Sequence, residues 1–295
     1  MSRPALAATR SIAILNFLAA NPGEGFTLSQ LAERLGINLA SIHALLGVLV
    51  DAGYVVRDPR LRGYTLGSAV VALGSAALET HPALDLARDA ARTLARETGL
   101  EVSVTTVVGD QIVFLTRAGD PSPRGLLVHV GQRIPFEPPL GSMFAAWGDE
   151  RAWLERAEDP AALRPVLEAV RRRGYSVALE ADTRKQLSNA LDDLASVPSD
   201  DALQGRVGRI VTELGRRDYH VRDLDPGQIY DVSMIAAPVF GADGEAVLSI
   251  TLIGFDHGLS GAEIATYGER LRDLALVVTR RSRGRVPTSR VVAHA

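Results

Sequence analysis

Thr27-Leu28-Ser29-Gln30-Leu31-Ala32-Glu33-Arg34-Leu35-Gly36-Ile37-Asn38-Leu39-Ala40-Ser41-Ile42-His43-Ala44-Leu45-Leu46 is the stretch whose reading decides the fold. Thr27 and Gln30 stand at capping-box spacing, each placed to satisfy a backbone donor that a helix start leaves open. Leu28, Leu31, Ala32 and Leu35 recur at i, i+3, i+4 and i+7, which buries one face of a helix, and Gly36 ends it. Asn38 caps a second helix, in which Ile42, Leu45, Leu46 and Leu49 repeat the spacing until Gly53 closes it. Two short helices separated by a few residues around a glycine fit a helix-turn-helix. Beyond them, Tyr54-Val55-Val56-Arg57 and Gly63-Tyr64-Thr65-Leu66 read as two strands joined by Asp58 to Arg62, the shape of a wing.

Capped amphipathic helices alone fit a small helical bundle as well as a DNA reader. Two features favour the reader. Arg57, Arg60 and Arg62 crowd one turn, where they would sit over phosphates. Residues 1 to 75 also hold six arginines against four acids, two net positive charges in a chain whose total is −3. The asymmetry supports nucleic-acid contact by the N-terminal part and argues against a protein that coats DNA along its whole length.

The order of these motifs resembles a known family. Thr9-Arg10-Ser11-Ile12-Ala13-Ile14-Leu15, Thr27 to Ala32, Ser41 to Leu46, Ala52-Gly53-Tyr54-Val55 and Gly63 to Gly67 are similar to the winged N-terminal domain of IclR-type (isocitrate lyase regulator) transcription factors. Thr98 to Val102, Gly109 to Leu115, Val130 to Pro135, Leu140-Gly141-Ser142 and Ile235 to Val239 resemble, in the same order, landmarks of that family's effector-binding domain. The likeness spans nearly the whole chain. It implies an α+β fold: a winged helix-turn-helix over 1–67, a linker helix over 68–81, and an effector-binding domain over 82–283 with an antiparallel sheet like that of GAF and PAS sensors. Residues 284–295 read as a disordered tail. The function implied is that of a ligand-responsive transcriptional regulator of a catabolic pathway. Its partners would be a double-stranded DNA operator, a small organic acid as effector, and copies of itself in a homodimer or dimer of dimers. The alternative is a sensor or interaction protein whose head no longer reads DNA.

Composition bounds other functions. At 295 residues the chain has room for a small head and a core of about 200 residues. With no cysteine, it has neither disulfides, nor thiolate metal ligands, nor a cysteine nucleophile. Met1 to Ala8 lacks the apolar run of a signal peptide and no stretch approaches a membrane span, so a cytoplasmic protein away from membranes is expected. His43, His81, His129, His220, His257 and His294 are scattered with no pair at ligand spacing, and no G-x-S-x-G motif occurs. No metal, cofactor or catalytic residue is therefore expected, and the chain is not read as an enzyme.

Ser68 to Leu78 is rich in small and apolar residues and reads as a helix buried along much of its length. In the family it pairs with its copy in a dimer; the competing reading is that it packs on its own domain. From Leu84 to Thr98 the pattern is helical again. Glu101 to Thr105 then alternates with period two, and Gly109-Asp110 turns into Gln111 to Leu115. A second hairpin is signalled across Asp243-Gly244, between Ala236 to Phe240 and Ala246 to Leu252, and a last helix over Ser260 to Arg280. Val170 to Val177 and Leu214 to Val221 echo each other; the second copy is read as the better placed, which makes 178–217 a helical insertion bounded by Pro198-Ser199-Asp200. It reads as an extra dimer surface, a lid or plain decoration.

Two sites are expected. DNA contacts fall to Arg10, Thr27, Ala40, Ser41, His43, Arg57, Arg60 and Arg62. Where the resemblance implies a polar pair and an arginine on the reading helix, this chain has Ala40-Ser41 and Ala44. Either the helix approaches the groove closely, with Ser41 and His43 as polar readers, or specific reading is lost. The effector falls to Phe136, Gly141, Ser142, Met143, Phe144, Ser233 and Met234, where the Phe136 to Leu140 loop enters a helix whose free amides suit a carboxylate. Met143 replaces a frequent lysine of the family, so the acid would carry an apolar or aromatic part; the competing reading is that these side chains are plain core. A bulky residue at Gly141 is expected to abolish binding and leave the fold intact.

Overall fold

The computed structural model describes residues 5–120, 130–179, 186–187, 189–191, 193–194, 201–215 and 219–287. In the head, α1 (Leu6–Ala20) packs on α2 (Leu28–Leu35) and α3 (Leu39–Asp51), and the hairpin β1 (Val55–Asp58), β2 (Gly63–Leu66) follows. The Thr27 hydroxyl accepts from the Gln30 amide while Thr27 N donates to Gln30 Oε1 at 2.8 Å, completing the capping box. Gly36 ends α2 in the left-handed region, and Asn38 Oδ1 accepts from Ser41 N at 2.8 Å to start α3. Between those caps the chain turns through 115°, within the usual range for a helix-turn-helix. Ile14, Phe17, Leu31, Ile42, Leu46 and Val55 make one buried cluster, so the two helices are held by an apolar face each rather than by propensity. Gly63 is required by close approach: a Cβ there would lie 2.4 Å from the Gly25 carbonyl carbon and the Phe26 amide.

α4 (Ser68–Thr80) leads from the head, and none of its residues is buried. Of the two readings of its apolar surface, packing along its own domain is not what the single chain shows. Its start is tied to the head, where Ala69 N donates to Gly53 O at 3.1 Å, while Val71 and Leu73 are 69% and 53% exposed.

The core is one six-stranded antiparallel sheet. Its strands are β3 (Glu101–Val108), β4 (Gln111–Ala118), β5 (Arg133–Pro135), β6 (Ser176–Leu179), β8 (Val232–Phe240) and β9 (Ala246–Ile253), in the order β5-β4-β3-β9-β8-β6, while the two-residue β7 (Ile229–Tyr230) pairs outside it. Period two sends Val102, Val104, Ile235, Ile250 and Leu252 to one face, against α5 (Pro82–Thr98) and the C-terminal helix 261–281. The other face meets α6 (Ser142–Trp147), α7 (Glu150–Leu154) and α8 (Pro160–Arg173) through Phe144, Trp147, Trp153, Leu167 and Ala236. Among the described residues no single helix is long and apolar enough to cross a membrane.

The echoed segment comes out differently from its reading. Residues 176–179, at the end of the first copy, are β6, paired with β8 from Ser176–Ala236 to Leu179–Val232. The second copy adds to the outer edge of β6 by an isolated bridge between His220 and Ala178, with Leu179 N donating to Tyr219 O and Val221 N to Val177 O. The first copy holds the strand position because its alternation matches the pleat on both sides, with Val177 and Ala178 buried. The insertion consequently begins after Leu179; Pro198 to Asp200 and Arg216 to Asp218 lie outside the described residues. Its helix α9 (Asp201–Gly215) joins Leu187, Ala190 and Leu191 through Val207, Ile210, Val211 and Leu214. Residues 284–287, read as the start of a tail, instead lie on the core: Gly284 N donates to Thr279 O and Arg285 N to Gly241 O. The rest of the expected tail lies outside the described residues.

Candidate nucleic-acid interface and ligand cavity

The head presents α3 and the wing to solvent. Thr27, Ala40, His43, Arg57, Arg60 and Arg62 are exposed, while Ser41 and, on α1, Arg10 are half-buried. The wing tip is shaped by Asp58, whose Oδ1 accepts from Arg60 N at 2.7 Å and Leu61 N at 3.2 Å, and Arg62 turns the chain back with φ 50°. This is an Asx-type turn closed by a left-handed residue. It gathers Arg57, Arg60 and Arg62 within one hairpin. The outward face of α3 carries Leu39 and Val48, 56% and 68% exposed, beside Ala40, His43, Ala44 and Gly47. It is a low, mostly apolar ridge that can lie close to base edges without a long side chain between.

In the core, a cavity of about 90 Å³ lies between the sheet and the loop that enters α6. Of the residues expected to line it, Gly141, Ser142, Met143, Phe144 and Met234 do so. Two do not. Phe136 stacks behind Gly141, so close that a Cβ on residue 141 would fall 2.5 Å from its ring. Ser233 points to the opposite face of β8 from Met234, and its hydroxyl donates to Ala178 O at 3.1 Å. Gly141 itself has φ +78°. With both the backbone and the ring opposed to a side chain, the expectation of a bulky substitution that spares the fold is corrected.

Several fixed groups hold the loop over the cavity. Trp153, on α7, donates from Nε1 to Leu140 O at 3.0 Å, both buried. His220 donates from Nε2 to Pro139 O at 2.9 Å; a carbonyl only accepts, so that nitrogen carries the hydrogen. Burial pushes the His220 pKa down to about 4, against the smaller opposing pull of the carbonyl bonds, so the ring is neutral at pH 7. The insertion stands behind this wall: Leu140, Ala178 and Tyr219 share a buried cluster with Val207, Val211 and Leu214. It is therefore part of the enclosure of the cavity.

The sequence reading did not pick out Ser103, Thr105, Ser176, Ser249 and Thr251, which also line the cavity. A signal was present: on β3 and β9 the small hydroxyl residues recur every second position among Val, Ile and Leu, a mark of one face that differs chemically from the other. Tyr219 and His220 gave no such signal, because they reach the site only by the return of the chain from the insertion. No Lys, Arg, Asp or Glu appears among the described lining residues. Nor do the described residues hold any group of three or more His, Cys, Asp or Glu suited to a metal.

Comparison with known proteins agrees with this architecture. Residues 7–59 match the IclR helix-turn-helix domain. The HTH-type transcriptional regulator BhcR of Paracoccus denitrificans is 25% identical over 268 residues, 90% of this chain and 83% of that protein. An IclR transcriptional regulator from Alicyclobacillus acidocaldarius superposes with TM-score 0.64 at 21% identity, over 95% of this chain and all of the other. An IclR homologue from Microbacterium hydrocarbonoxydans, solved with 4-hydroxybenzoate, superposes with TM-score 0.61 at 17% identity, over 94% and 99% of the two chains. Residues 7–59 thus carry an IclR helix-turn-helix domain, and from winged head to antiparallel core the chain is similar to IclR-type transcriptional regulators.

Proposed function

We propose that this protein reads an operator with α3 and the Arg57–Arg62 wing, and that a small organic molecule in the core cavity regulates that reading. The observation that carries the proposal is the pairing of an exposed second helix with a wing holding three arginines. Arginines there supply salt-dependent grip and register; Ser41, His43 and the methyls of Ala40 and Ala44 supply the reading, which favours thymine methyl groups and A·T-containing half-sites. The unit that binds is a homodimer or dimer of dimers joined through α4, since Val71 and Leu73 are too exposed for a lone connector. A two-fold pair of heads then reads a two-fold operator.

The effector in this reading is a small organic acid with an apolar or aromatic body. Ile112, Phe114, Met143, Met234 and Ile253 provide apolar walls, and the amides that open α6 at Ser142 and Met143 lie at one end for the acid. The relative solved with 4-hydroxybenzoate shows that this architecture holds such a molecule in that protein. Ligand preference for one arrangement of the core would move the two α4 helices and so the spacing of the heads, a coupling free energy between two sites. Selection from random duplexes at moderate salt tests the DNA half: an enriched two-fold motif supports it, and a pool with no enrichment refutes it.

A further inference from the structure

The helix α1 is used on two sides. Ile14, Phe17 and Leu18 close the core of the head, while Ala13, Asn16, Phe17 and Ala20 line a gap of about 540 Å³ between head and core. The far wall of that gap is β5 with its approach from Gly131, together with Leu191, Leu194, Gln204, Val207 and Gly208 of the insertion. Head and core meet at one corner, where a Cβ on Gly131 would lie 3.4 Å from Ala19 Cβ. No residue of α3 or of the wing is among the described lining residues, so the reading surface stays free while the head rests there.

The far wall of the gap is also a wall of the core cavity. Ile134 lines both spaces. Leu191, Leu194 and Val207 line the gap and pack in one cluster with Leu140 and Tyr219, which line the cavity. Gly131 N donates to Phe114 O at 2.7 Å and Phe114 N to Gln132 O at 3.0 Å, so the corner that meets Ala19 is bonded to a residue that lines the cavity. A close-packed layer of this kind transmits strain instead of absorbing it. The gap itself is edged by Asn16, Gln111, Arg133 and Glu137 and is not filled by side chains, the character of a contact between domains that opens and closes.

We propose that β5 and the insertion form a seat for the head of their own chain, and that whatever fills the core cavity shifts this seat through Ile134 and α9. The route runs inside one chain, beside the pairing of α4 between chains. The seat holds independently of what the cavity binds; its use in regulation rests on the cavity being the effector pocket.

Cross-linking of the full chain tests it, and the absence of native cysteine makes the chemistry specific. Asn16→Cys with Gln204→Cys, on α1 and α9 across the gap, should be joined by a short bis-maleimide within single chains. Ala19→Cys with Gly131→Cys should close a disulfide, because 3.4 Å is near the Cβ separation of about 3.5–4.5 Å that such a bond needs. Gly208→Arg adds bulk to the gap at a position where a Cβ meets no atom within 4 Å, and it should slow the bis-maleimide reaction about fivefold or more. Ala236→Leu and, separately, Met234→Phe add bulk at the cavity and not at the gap; in the variants whose tryptophan fluorescence shows a folded core, the rate should change about fivefold or more. Cross-links that join two chains, or none in either pair, overturn the seat. A rate unmoved by Gly208→Arg removes the insertion from it, and a rate unmoved by the cavity substitutions overturns the coupling. None of these measurements uses an effector, so a failure of the seat is seen apart from a failure of the pocket reading.

Discussion

Gly141→Ala should cost the core far more than one methyl group suggests. Residue 141 has φ +78°, and holding alanine in the left-handed region costs about 1–2 kcal/mol. The new Cβ would also lie 2.5 and 2.6 Å from two ring carbons of Phe136 and 3.1 Å from Ile112 Cδ1. Phe136 cannot move freely, because it packs edge-on against Phe144 at 6.4 Å between ring centres; losing that geometry costs about 0.5–1.5 kcal/mol more. The total is about 1.5–3.5 kcal/mol. Gly109→Ala supplies the control, since residue 109 has φ +63° but no atom within 4 Å of a Cβ, so it carries the backbone cost alone. Urea unfolding followed by tryptophan fluorescence reads the right part of the molecule, because the only two tryptophans, Trp147 and Trp153, lie in the cluster beside the cavity. Should Gly141→Ala unfold at the same urea concentration as Gly109→Ala, the ring does not confine residue 141 and the account of how the loop is held is wrong.

Three further outcomes are expected. Val71→Asp with Leu73→Asp should turn the oligomer into monomers in sedimentation velocity, and an unchanged oligomer would remove α4 from the interface. Because His220 has a pKa of about 4 when folded and 6.5 when free, the unfolded chain binds its proton first. Stability should therefore be at its full value above pH 6.5, fall as pH drops toward 4, and stay level below, with a loss of at most about 3 kcal/mol; denaturant midpoints of His220→Asn across that range should lose this slope, and an unaltered slope would show that His220 is not the group responsible. Arg60→Ala should weaken operator and random duplexes about equally and lower the salt slope of binding by about one, whereas Ser41→Ala should relax preference at one base pair; fluorescence anisotropy between 50 and 200 mM salt separates the two, and an Arg60→Ala effect confined to one sequence would contradict a phosphate role.

What the sequence determined by itself was everything that depends on neighbours along the chain. The capping box at Thr27–Gln30, the stops at Gly36 and Gly53, the hairpin at Gly109-Asp110 and the long C-terminal helix are local, because caps, turns and a 3.6-residue period act within one or two turns. The order of those local units was enough to indicate the family and hence the antiparallel core. Tertiary structure decided what depends on contacts between distant residues. Val170 to Val177 and Leu214 to Val221 look alike in one dimension, and only pairing with β8 shows that the first copy ends in the strand. The α4 helix reads as buried by composition, yet within the single chain it stays largely exposed, because burial requires a partner surface and composition does not say which surface supplies it. Ser233 and Met234 are neighbours in sequence and lie on opposite faces of the sheet, so one lines the cavity and the other does not. Ser103 and Thr105 belong to a strand almost 150 residues from that of Ser249 and Thr251; their register alone, Ser103 against Thr251 and Thr105 against Ser249, brings the four hydroxyls together at the cavity.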